Sequence, residues 1–290
     1  MSFAGHFLAL DWGTTNRRVF VIEGGAVVRT ARDGKGVTAV EDFAGEVAGI
    51  RAAYGDSPML LAGMVGSNIG WRAAPYAAAP AGIADLAAHL LWIDARTAIV
   101  PGVSVCEHGR ADVMRGEEVQ LLGAVAAGLA PGDALLVQPG THCKWVEMAG
   151  GRIQSFITAM TGELFALLRS HGLLAAQLQG EVGANAAFMA GVEEGKRGDL
   201  AASLFGIRAA KLLGLREDAD AAAYASGLLI GSDVTVRLRD AAHDSVHILA
   251  GPDLGALYSA AIEANGRAAT LIDSHAAFAA GIIAIESHAR

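Results

Sequence analysis

"LALDWGTTNRRVFVIEGG", residues 8–25, places a carboxylate, a glycine and a short polar run between two apolar segments. The apolar segments, residues 7–10 and 19–22, predict two strands that are joined by a tight bend. Asp11 ends the first strand, and the bend itself then consists of Gly13, Thr14, Thr15 and Asn16. Such bends expose backbone N–H groups that bind anions, and glycine lets an anion approach the backbone closely. The stretch therefore predicts a phosphate-binding hairpin.

A second stretch repeats this pattern. In "LLVQPGTHCKWVEMAGG", residues 135–151, Gly140 corresponds to Gly13 and Thr141 to Thr14. Each copy reads as a strand, a Gly-Thr bend, a basic residue, a second strand and a Gly-Gly turn. Two such bends, one in each half of the chain, predict a duplicated protein that binds one polyphosphate from both sides.

Hydrophobic periodicity predicts an α/β chain around these two hairpins. The residues 86–91 fit a strand or a helix equally well. A turn at Pro131-Gly132-Asp133 suggests a boundary between a domain of residues 1–130 and a domain of residues 131–290. Further strands are predicted at 26–30, 59–62, 98–100, 134–138, 144–148, 152–158, 246–249 and 268–272, and helices at 43–54, 116–127, 161–169, 184–196, 200–213, 218–239 and 275–287.

Composition narrows the class of function. The 290 residues carry a formal net charge of −8, which argues against a nucleic-acid binder or a protein of anionic membrane surfaces. No signal peptide and no membrane-spanning segment is expected from the sequence. Two cysteines do not form a disulfide framework, so we expect a cytoplasmic protein with reduced thiols.

Duplicated halves with a phosphate hairpin in each resemble the actin-like ATPase superfamily of sugar kinases, actin and heat-shock chaperones. Longer motifs narrow this resemblance, and in their order and spacing they are similar to the 2-dehydro-3-deoxygalactonokinase family. The resemblance implies two actin-like (ribonuclease H-like) α/β domains, with a phosphate hairpin in each and the active site in the cleft between them. The motifs are "MLLAGMVGSNIGW" (59–71), "VMRGEEVQLLGA" (113–124), "QPGTHCKWV" (138–146), "MTGEL" (160–164) and "SGLLIG" (226–231).

The resemblance also implies that ATP and Mg²⁺ are bound. Asp11 would hold Mg²⁺ through water, as Mg²⁺ retains several waters beside few carboxylates. Gly251, which follows a predicted strand, would let the adenosine of ATP lie against the backbone. The donors to the phosphates would be Gly13, Thr14, Thr15 and Asn16 in the first half and Gly140 and Thr141 in the second.

A general base is expected at the start of the helix predicted at 116–127. Related glycerol-type kinases have a Gly-Asp pair there, and Gly116-Glu117 takes its place in this sequence. Glu117 is therefore the expected base, although its side chain is longer than that of aspartate. Glu118 is the alternative, and a carboxylate at a helix N-terminus can also be purely structural.

The acceptor implied by the resemblance is 2-dehydro-3-deoxy-D-galactonate, an anionic sugar acid. Arg115 and Lys144 are the candidate cations for its carboxylate, and either residue could instead contact ATP. Trp71 could also belong to the core, and Arg115 to an ion pair. Of Arg17 and Arg18, we expect one to be functional and one to be solvated. The loop after the strand at 59–62 supplies the remaining substrate candidates, Ser67, Asn68 and Trp71.

These features predict an enzyme that phosphorylates the terminal (6-) hydroxyl of 2-dehydro-3-deoxy-D-galactonate in galactonate breakdown. Two alternatives stay open: a kinase of another 2-keto-3-deoxy sugar acid, and a non-catalytic actin-like module that binds ATP as a switch. The sequence does not show which epimer of the acceptor is used, because epimers differ in one inverted hydroxyl and only the geometry of the pocket distinguishes them. It leaves open whether the protein forms a homodimer.

Overall fold

The computed structural model describes residue 3 and residues 5–107 and 109–289. The chain separates into two compact α/β units. Unit 1 comprises Met1–Asp133, Glu147–Phe156 and Ser274–Arg290, and unit 2 comprises Ala134–Val146 and Ile157–Asp273. This division differs from a single cut after residue 130, because the tip of one hairpin and the last helix of the chain pack with unit 1.

Unit 1 is built on a mixed sheet of six strands in the order β3-β2-β1-β4-β7-β6. The strand β1 lies between its antiparallel hairpin partner β2 and the parallel strand β4, and its side chains are almost all buried. The predicted hairpin of the opening stretch is therefore confirmed. The six strands are β1 (His6–Trp12), β2 (Arg17–Glu23), β3 (Ala26–Asp33), β4 (Met59–Gly63), β6 (Leu91–Asp94) and β7 (Thr97–Ile99).

A second, smaller sheet of unit 1 was not expected from the sequence. Its strand order is β5-β8-β9, and many of its side chains are exposed, so it lacks the apolar runs from which strands were predicted. The sheet leads into the helix that begins at Glu117. Its strands are β5 (Tyr76–Ala78), β8 (Gly102–Glu107) and β9 (Arg110–Met114).

Two glycines hold the last helix of the chain against the helix that follows the small sheet. A Cβ atom at Gly123 would overlap the carbonyl oxygen of Ala277, and one at Gly281 would overlap the carbonyl oxygen of Val119. The two backbones are therefore in direct contact, which only glycine permits. The helices of unit 1 are α1 (Phe43–Tyr54), α2 (Ile83–Ala88), α3 (Glu117–Ala126) and α9 (Ser274–His288), with single 3₁₀ turns at Val37–Ala39 and Met64–Gly66.

Unit 2 repeats the topology of unit 1. Its sheet has the spatial order β12-β11-β10-β13-β14. The strands β11 and β12 lie on one side of β10, and the parallel strands β13 and β14 lie on the other side. Unit 1 has the same sequence of relationships in β3-β2-β1-β4-β7. This agreement supports the duplication inferred from the two Gly-Thr bends. The strands are β10 (Ala134–Gln138), β11 (Cys143–Ala149), β12 (Arg152–Ala159), β13 (Ser245–Leu249) and β14 (Ala268–Ile272).

The helices of unit 2 surround a long central helix, α7, which is buried over most of its length. Side-chain caps fix the starts of two others, since Asn185 accepts from the amide of Phe188 and Asp199 from that of Ala202. None of the described helices has both the length and the apolar character that crossing a membrane requires. The helices are α4 (Thr161–Ser170), α5 (Ala186–Gly195), α6 (Leu200–Leu212), α7 (Asp218–Leu238) and α8 (Pro252–Ala264).

Candidate active site

The first Gly-Thr bend lies between β1 and β2 and is closed by its own backbone. The amide of Gly13 donates to the carbonyl oxygen of Asn16 at 2.9 Å. Thr14, Thr15 and Asn16 are exposed, and Asp11 is half-buried on the strand just before them. The bend therefore presents hydroxyl, amide and carboxylate groups at one end of β1.

A neighbouring segment occupies the carbonyl groups of this bend. Val37 donates its amide to the carbonyl of Gly13 at 3.0 Å, and Gly36 and Thr38 donate theirs to Thr15 and Thr14, each at 3.3 Å. A Cβ atom at Gly36 would overlap the backbone of Thr14, so this segment can lie only as close as a glycine allows. Because the carbonyl oxygens are used in this way, the groups that the bend can offer a ligand are mainly donors.

Arginines surround the bend on the side of the sheet that carries Asp11. Across the sheet, Asp11 is paired in register with Arg18, and Arg18 with Arg32 on β3. Together with the bend, these residues line a cavity of about 230 Å³. Like charges directly opposite one another on neighbouring strands repel. An anionic ligand would offset the repulsion between Arg18 and Arg32, so the cavity suits a phosphate group.

Arg17 is buried and bonded within unit 1, and Arg18 is only half-exposed. The expectation that one of the two arginines is solvated is therefore not met. The guanidinium group of Arg17 donates to Asp33 at 2.8 Å and to Glu46 at 2.9 Å, and it lies over the ring of Trp12. The Arg17 side chain is only 4% exposed. Successive residues of a strand point to opposite faces, so Arg18 is left to face Asp11.

Glycines bring the start of α3 against the ends of β1 and β4. A Cβ atom at Gly63, where φ is +92°, would lie 2.8 Å from the carbonyl oxygen of Trp12. One at Gly116, where φ is +105°, would lie 3.1 Å from the Cα atom of Gly63. Three backbone segments therefore pack with no side chain between them, and the first residues of α3 lie near Asp11.

The two glutamates that open α3 have different environments. Glu117 is half-buried, and its Oε2 accepts from the amide of Arg115 at 3.0 Å. Glu118 is fully buried, and both of its carboxylate oxygens accept from the amide of Gly116, at 2.9 and 2.7 Å. Glu118 thus closes the helix terminus, whereas Glu117 remains accessible.

The pKa values of Asp11 and Glu118 reflect burial and the nearby charge of Glu117. Burial raises the pKa of Asp11 to about 6, with the charge of Glu117 adding to the rise and Arg18 opposing it. Burial also raises the pKa of Glu118 to about 8, again with a contribution from Glu117. The charge of Glu117 acts on both neighbours, so the three carboxyl groups form one electrostatic cluster.

Arg115 lies beside the predicted substrate loop. Its Nη2 donates to the carbonyl oxygen of Ala74 at 2.7 Å, and its guanidinium carbon lies 4.3 Å from the ring centre of Tyr76. The Nη1 atom is so close to Gly66 that a Cβ atom there would lie 3.0 Å from it. Among the described residues, the buried Nε and Nη1 atoms have no hydrogen-bond partner. Unpaired buried donors of a cation suit an anionic ligand.

The loop residues Ser67, Asn68 and Trp71 lie in different environments. The Ser67 hydroxyl donates to the carbonyl of Met64 at 2.7 Å, so it helps to fold the loop. Trp71 is half-buried and stacks on Phe43 with an interplanar angle of 10°, as the core alternative anticipated. Asn68 is exposed. The loop is thus anchored at both ends around one exposed amide side chain.

In unit 2, the second Gly-Thr bend lies between β10 and β11 and packs on the start of α4. Gly140 and Thr141 are exposed. The amide of Glu163 donates to the carbonyl of Thr141 at 2.9 Å, and a Cβ atom at Gly162 would overlap the carbonyl of Gly140. Lys144 is buried and donates to the Thr158 hydroxyl at 2.8 Å, so its ammonium group is bonded to the neighbouring strand.

A mainly apolar cavity of unit 2 adjoins this bend. Gly251 caps the N-terminus of α8, where it is exposed and has open space beside it. Leu254, one turn further along α8, lines the cavity. The other lining residues are Gly140, Thr161, Gly162, Phe165, Ser226, Leu229, Ile230 and Tyr258.

Comparison with known proteins identifies the family of this chain. A family model described as 2-keto-3-deoxy-galactonokinase matches residues 11–285. The chain belongs to this family. It is 38% identical over 285 residues to the 2-dehydro-3-deoxygalactonokinase of Escherichia coli (strain K12), which covers 96% of this chain and 97% of the relative. A crystal structure from Sinorhizobium meliloti with the same family designation has a TM-score of 0.91 and 35% identity, covering 97% of this chain and 98% of that one.

A more distant likeness supports the fold class. The activator of 2-hydroxyisocaproyl-CoA dehydratase from Clostridium difficile, solved with bound ADPNP, has a TM-score of 0.53 at 10% identity and covers 98% of this chain and 95% of that one. At this identity the likeness shows the fold alone. This member of the 2-keto-3-deoxy-galactonokinase family thus has the actin-like α/β fold that was predicted.

Several residues that shape the site were not singled out from the sequence. Gly36 and Gly63 hold neighbouring segments against β1 and its bend, and Tyr76 supports Arg115 through its ring. A glycine at the end of a buried apolar run is a signal that could have identified Gly63. Tyr76 lies on a strand that hydrophobic periodicity did not reveal, so its role required the structure.

Among the described residues, no group of three or more histidine, cysteine, aspartate or glutamate side chains is placed to hold a metal ion. Mg²⁺ does not need such a cage, because it is commonly held by one or two carboxylates, several waters and the phosphates of a substrate. Asp11, half-buried beside a bend that presents hydrogen-bond donors, fits this arrangement.

The environment of Glu118 predicts how stability depends on pH. The folded chain keeps the Glu118 proton up to about pH 8, whereas an unfolded chain loses it near the ordinary pKa of 4.5. The folded state therefore binds more protons in this window, and Glu118 lowers the free energy of unfolding as pH rises from 4.5 to 8. Glu118→Gln removes that loss, so its stability relative to the parent should rise by up to about 1.4 kcal/mol per pH unit in the window.

Urea unfolding of both proteins at several pH values measures this difference. Glu41→Gln, at an exposed glutamate of the same unit, is the control for the substitution itself. A stability difference between Glu118→Gln and the parent that does not change with pH would contradict the assigned environment of Glu118.

Proposed function

We propose that this chain transfers the γ-phosphate of ATP to the terminal hydroxyl of 2-dehydro-3-deoxy-D-galactonate. The observation that carries the proposal is one cluster at the end of β1. There the carboxylates Asp11 and Glu117 lie together, beside a donor-rich bend. Phosphoryl transfer requires mainly positioned donors, neutralised charge and an oriented acceptor hydroxyl, and this cluster offers groups for each.

The first bend is proposed to bind the phosphates in unit 1. Its carbonyl groups accept from residues 36–38 and, at Asn16, from the amide of Gly13. This leaves the amides of residues 14–16 and the threonine hydroxyls for a ligand. Gly13 gives access to the backbone, and Thr14, Thr15 and Asn16 are exposed beside it. Arg18 adds a positive charge next to the cavity.

Asp11 is proposed to hold Mg²⁺ through water. Its pKa of about 6 leaves it ionised above that pH, and a nearby cation would favour the ionised form further. Bound Mg²⁺ would neutralise charge on the phosphate oxygens during transfer. The role of Asp11 is to place that charge at the first bend.

Glu117 is proposed as the general base. Its carboxylate is accessible and oriented by the amide of Arg115, whereas the carboxylate of Glu118 is buried against Gly116. The acceptor oxygen forms a bond to the γ-phosphorus, and the bond from that phosphorus to the bridging oxygen of ADP breaks. The hydroxyl proton passes to a carboxylate oxygen of Glu117, and the electron pair of the broken bond leaves with ADP.

Arg115 is proposed to bind the carboxylate of the sugar acid. Its buried Nε and Nη1 atoms are available, and a planar guanidinium group matches the geometry of a carboxylate. Asn68, with Ser67 and Trp71 shaping its loop, would contact the hydroxyl groups of the acceptor. Lys144 is bonded to Thr158 in unit 2, so we assign it to support of the second bend instead.

In unit 2, Gly140 and Thr141 are proposed to bind phosphate through the second bend. The mainly apolar cavity beside them would take the nucleoside of ATP, with Gly251 leaving room for it at the start of α8. The apolar side chains favour burial of an adenine ring, and the bend supplies donors.

We also infer a cytoplasmic location and self-association. Cys106 and Cys143 are both free thiols, and ATP is a cytoplasmic substrate. Phe205, Leu212 and Leu213 are exposed at 62%, 68% and 72%, which favours a homodimer that covers them.

The activity is tested by measuring ADP formation with a panel of 2-keto-3-deoxy sugar acids and without any sugar acid. We expect turnover that requires a sugar acid and is fastest with 2-dehydro-3-deoxy-D-galactonate. Faster turnover with its gluconate-derived epimer would reassign the substrate. ATP hydrolysis that no sugar acid stimulates would instead favour the ATP-switch alternative.

Replacing the base tests the role of Glu117. Glu117→Gln should retain binding of ATP and sugar acid but lower kcat by about 10²- to 10⁴-fold, because a positioned base contributes that much. Steady-state kinetics measure the change, and Glu41→Gln provides the control for an exposed glutamate. Parental kcat in Glu117→Gln would move the role to Glu118 or to another acid.

Replacing the cation tests the role of Arg115. Arg115→Lys keeps the positive charge but loses the planar fork, so KM for the sugar acid should rise about 10- to 100-fold while KM for ATP is unchanged. Arg110→Lys, at the exposed start of β9, is the matched control. An unchanged KM for the sugar acid in Arg115→Lys would show that another group binds the carboxylate.

A further inference from the structure

Asp233, on the central helix α7, has a buried carboxylate that the proposed chemistry does not use. Its side chain is only 6% exposed. The Oδ2 atom accepts from Trp145 Nε1 on β11 at 2.9 Å and from the Thr161 hydroxyl at 3.2 Å. Oδ1 lies 3.4 Å from Nε of Arg237. One carboxylate therefore connects a strand of the second hairpin, the first residue of α4 and its own helix.

A buried tyrosine completes this network. The Tyr258 hydroxyl, on α8, is hydrogen-bonded both to the thiol of Cys143 and to the hydroxyl of Thr161. Tyr258 is only 2% exposed, and Cys143 is fully buried. Burial raises the pKa of Asp233, although its hydrogen bonds oppose that rise. Such a network is costly to bury unless its members are paired, as these are.

The network ends next to the second Gly-Thr bend. Thr161 begins α4, and the following two residues form the contact with the bend. The backbone of Gly162 lies against the carbonyl of Gly140, and the amide of Glu163 donates to the carbonyl of Thr141 at 2.9 Å. The start of α4 is therefore in direct backbone contact with both residues of the bend.

The cap of α4 explains why an anchor is needed there. Met160, the N-cap residue, makes no side-chain hydrogen bond to the helix. The start of α4 therefore lacks the usual local fixation by a serine, threonine, aspartate or asparagine cap. Thr161 is instead tied to α7 through Asp233.

We propose that Asp233 is a positioning residue that holds the Gly140–Thr141 bend ready to bind nucleotide phosphate. It acts through Thr161 on the start of α4 and through Trp145 on β11. A carboxylate suits this position because it accepts from several donors, whereas an asparagine would turn an N–H₂ group toward one of them. The inference rests on the proposed role of this bend in binding ATP.

The test compares variants of the anchor by kinetics and by calorimetric binding of a non-hydrolysable ATP analogue without sugar acid. Asp233→Asn and Thr161→Val should each weaken analogue binding about 10-fold or more and raise KM for ATP, since a hydrogen bond to a charged group is lost. KM for the sugar acid should stay at the parental value. Thr161→Ser keeps the hydroxyl, so its affinity for the analogue should stay within about 3-fold of that of the parent.

Thr235→Val is the matched control on the same helix. It removes the hydrogen bond from Thr235 to the Asn265 side chain at 3.0 Å, on another side of α7. We expect parental ATP binding in this variant. If Asp233→Asn does not fold, Trp145→Phe carries the test, because it removes another donor to Asp233 at a residue outside the cavity lining and should weaken analogue binding in the same way.

The outcomes separate the two proposals. Parental analogue affinity and KM for ATP in folded Asp233→Asn would overturn the role of Asp233. Equal weakening in Thr235→Val would also overturn it, because a general loss of packing would then suffice. A parent protein that binds the analogue but phosphorylates no sugar acid would refute the proposed function and leave the positioning of the bend supported by the binding data.

Discussion

The close approach of three backbone segments at Gly63 is the constraint on which the site in unit 1 depends. A side chain at Gly63 would meet the carbonyl oxygen of Trp12, and one at Gly116 would meet Gly63 itself. Because no side chain intervenes, the first carboxylate of α3 reaches the end of β1. Burial raises the pKa of Asp11, and the charge of Glu117 adds to that rise. Both glycines have positive φ values, which glycine adopts without strain and other residues rarely adopt. The catalytic proposal follows from this contact.

Different contacts hold the Gly-Thr bend in each of the two units. In unit 1, residues 36–38 bond to the carbonyl groups of the first bend, and ion pairs to Arg17 fix the adjoining strand. In unit 2, the start of α4 packs on the second bend and is held from behind by Asp233. In both arrangements, backbone contacts fix the conformation of a short polar bend. If the bends bind phosphate as proposed, their donors are already ordered before the ligand arrives. Preorganised donors of this kind are what a reaction dominated by electrostatics requires.

Local patterns were sufficient for much of the fold and for part of the site. Apolar runs and glycine turns predicted both hairpins, and the helix predicted at 116–127 is α3. Long-range contacts were not predictable in this way. Strand alternation places Arg17 and Arg18 on opposite faces, but Glu46 lies 29 residues from Arg17, so the buried member could not be identified. The sequence around Asp233 predicts only an acidic residue on a helix. Its partners Trp145 and Thr161 lie 88 and 72 residues away, so its burial and its contacts could not be predicted.

The proposed chemistry in unit 1 depends on the proximity of the Asp11 and Glu117 carboxyl groups, and the pKa of Asp11 reports on that proximity. Carboxyl carbon NMR of protein labelled at aspartate, with Asp11→Asn to assign the signal, follows this group in the parent and in Glu117→Gln. We expect a pKa of about 6 for Asp11 in the parent and a lower pKa in Glu117→Gln, because one neighbouring negative charge has been removed. The same pKa in both proteins would contradict the account, since Glu117 would then lie too far from Asp11 to share its chemistry.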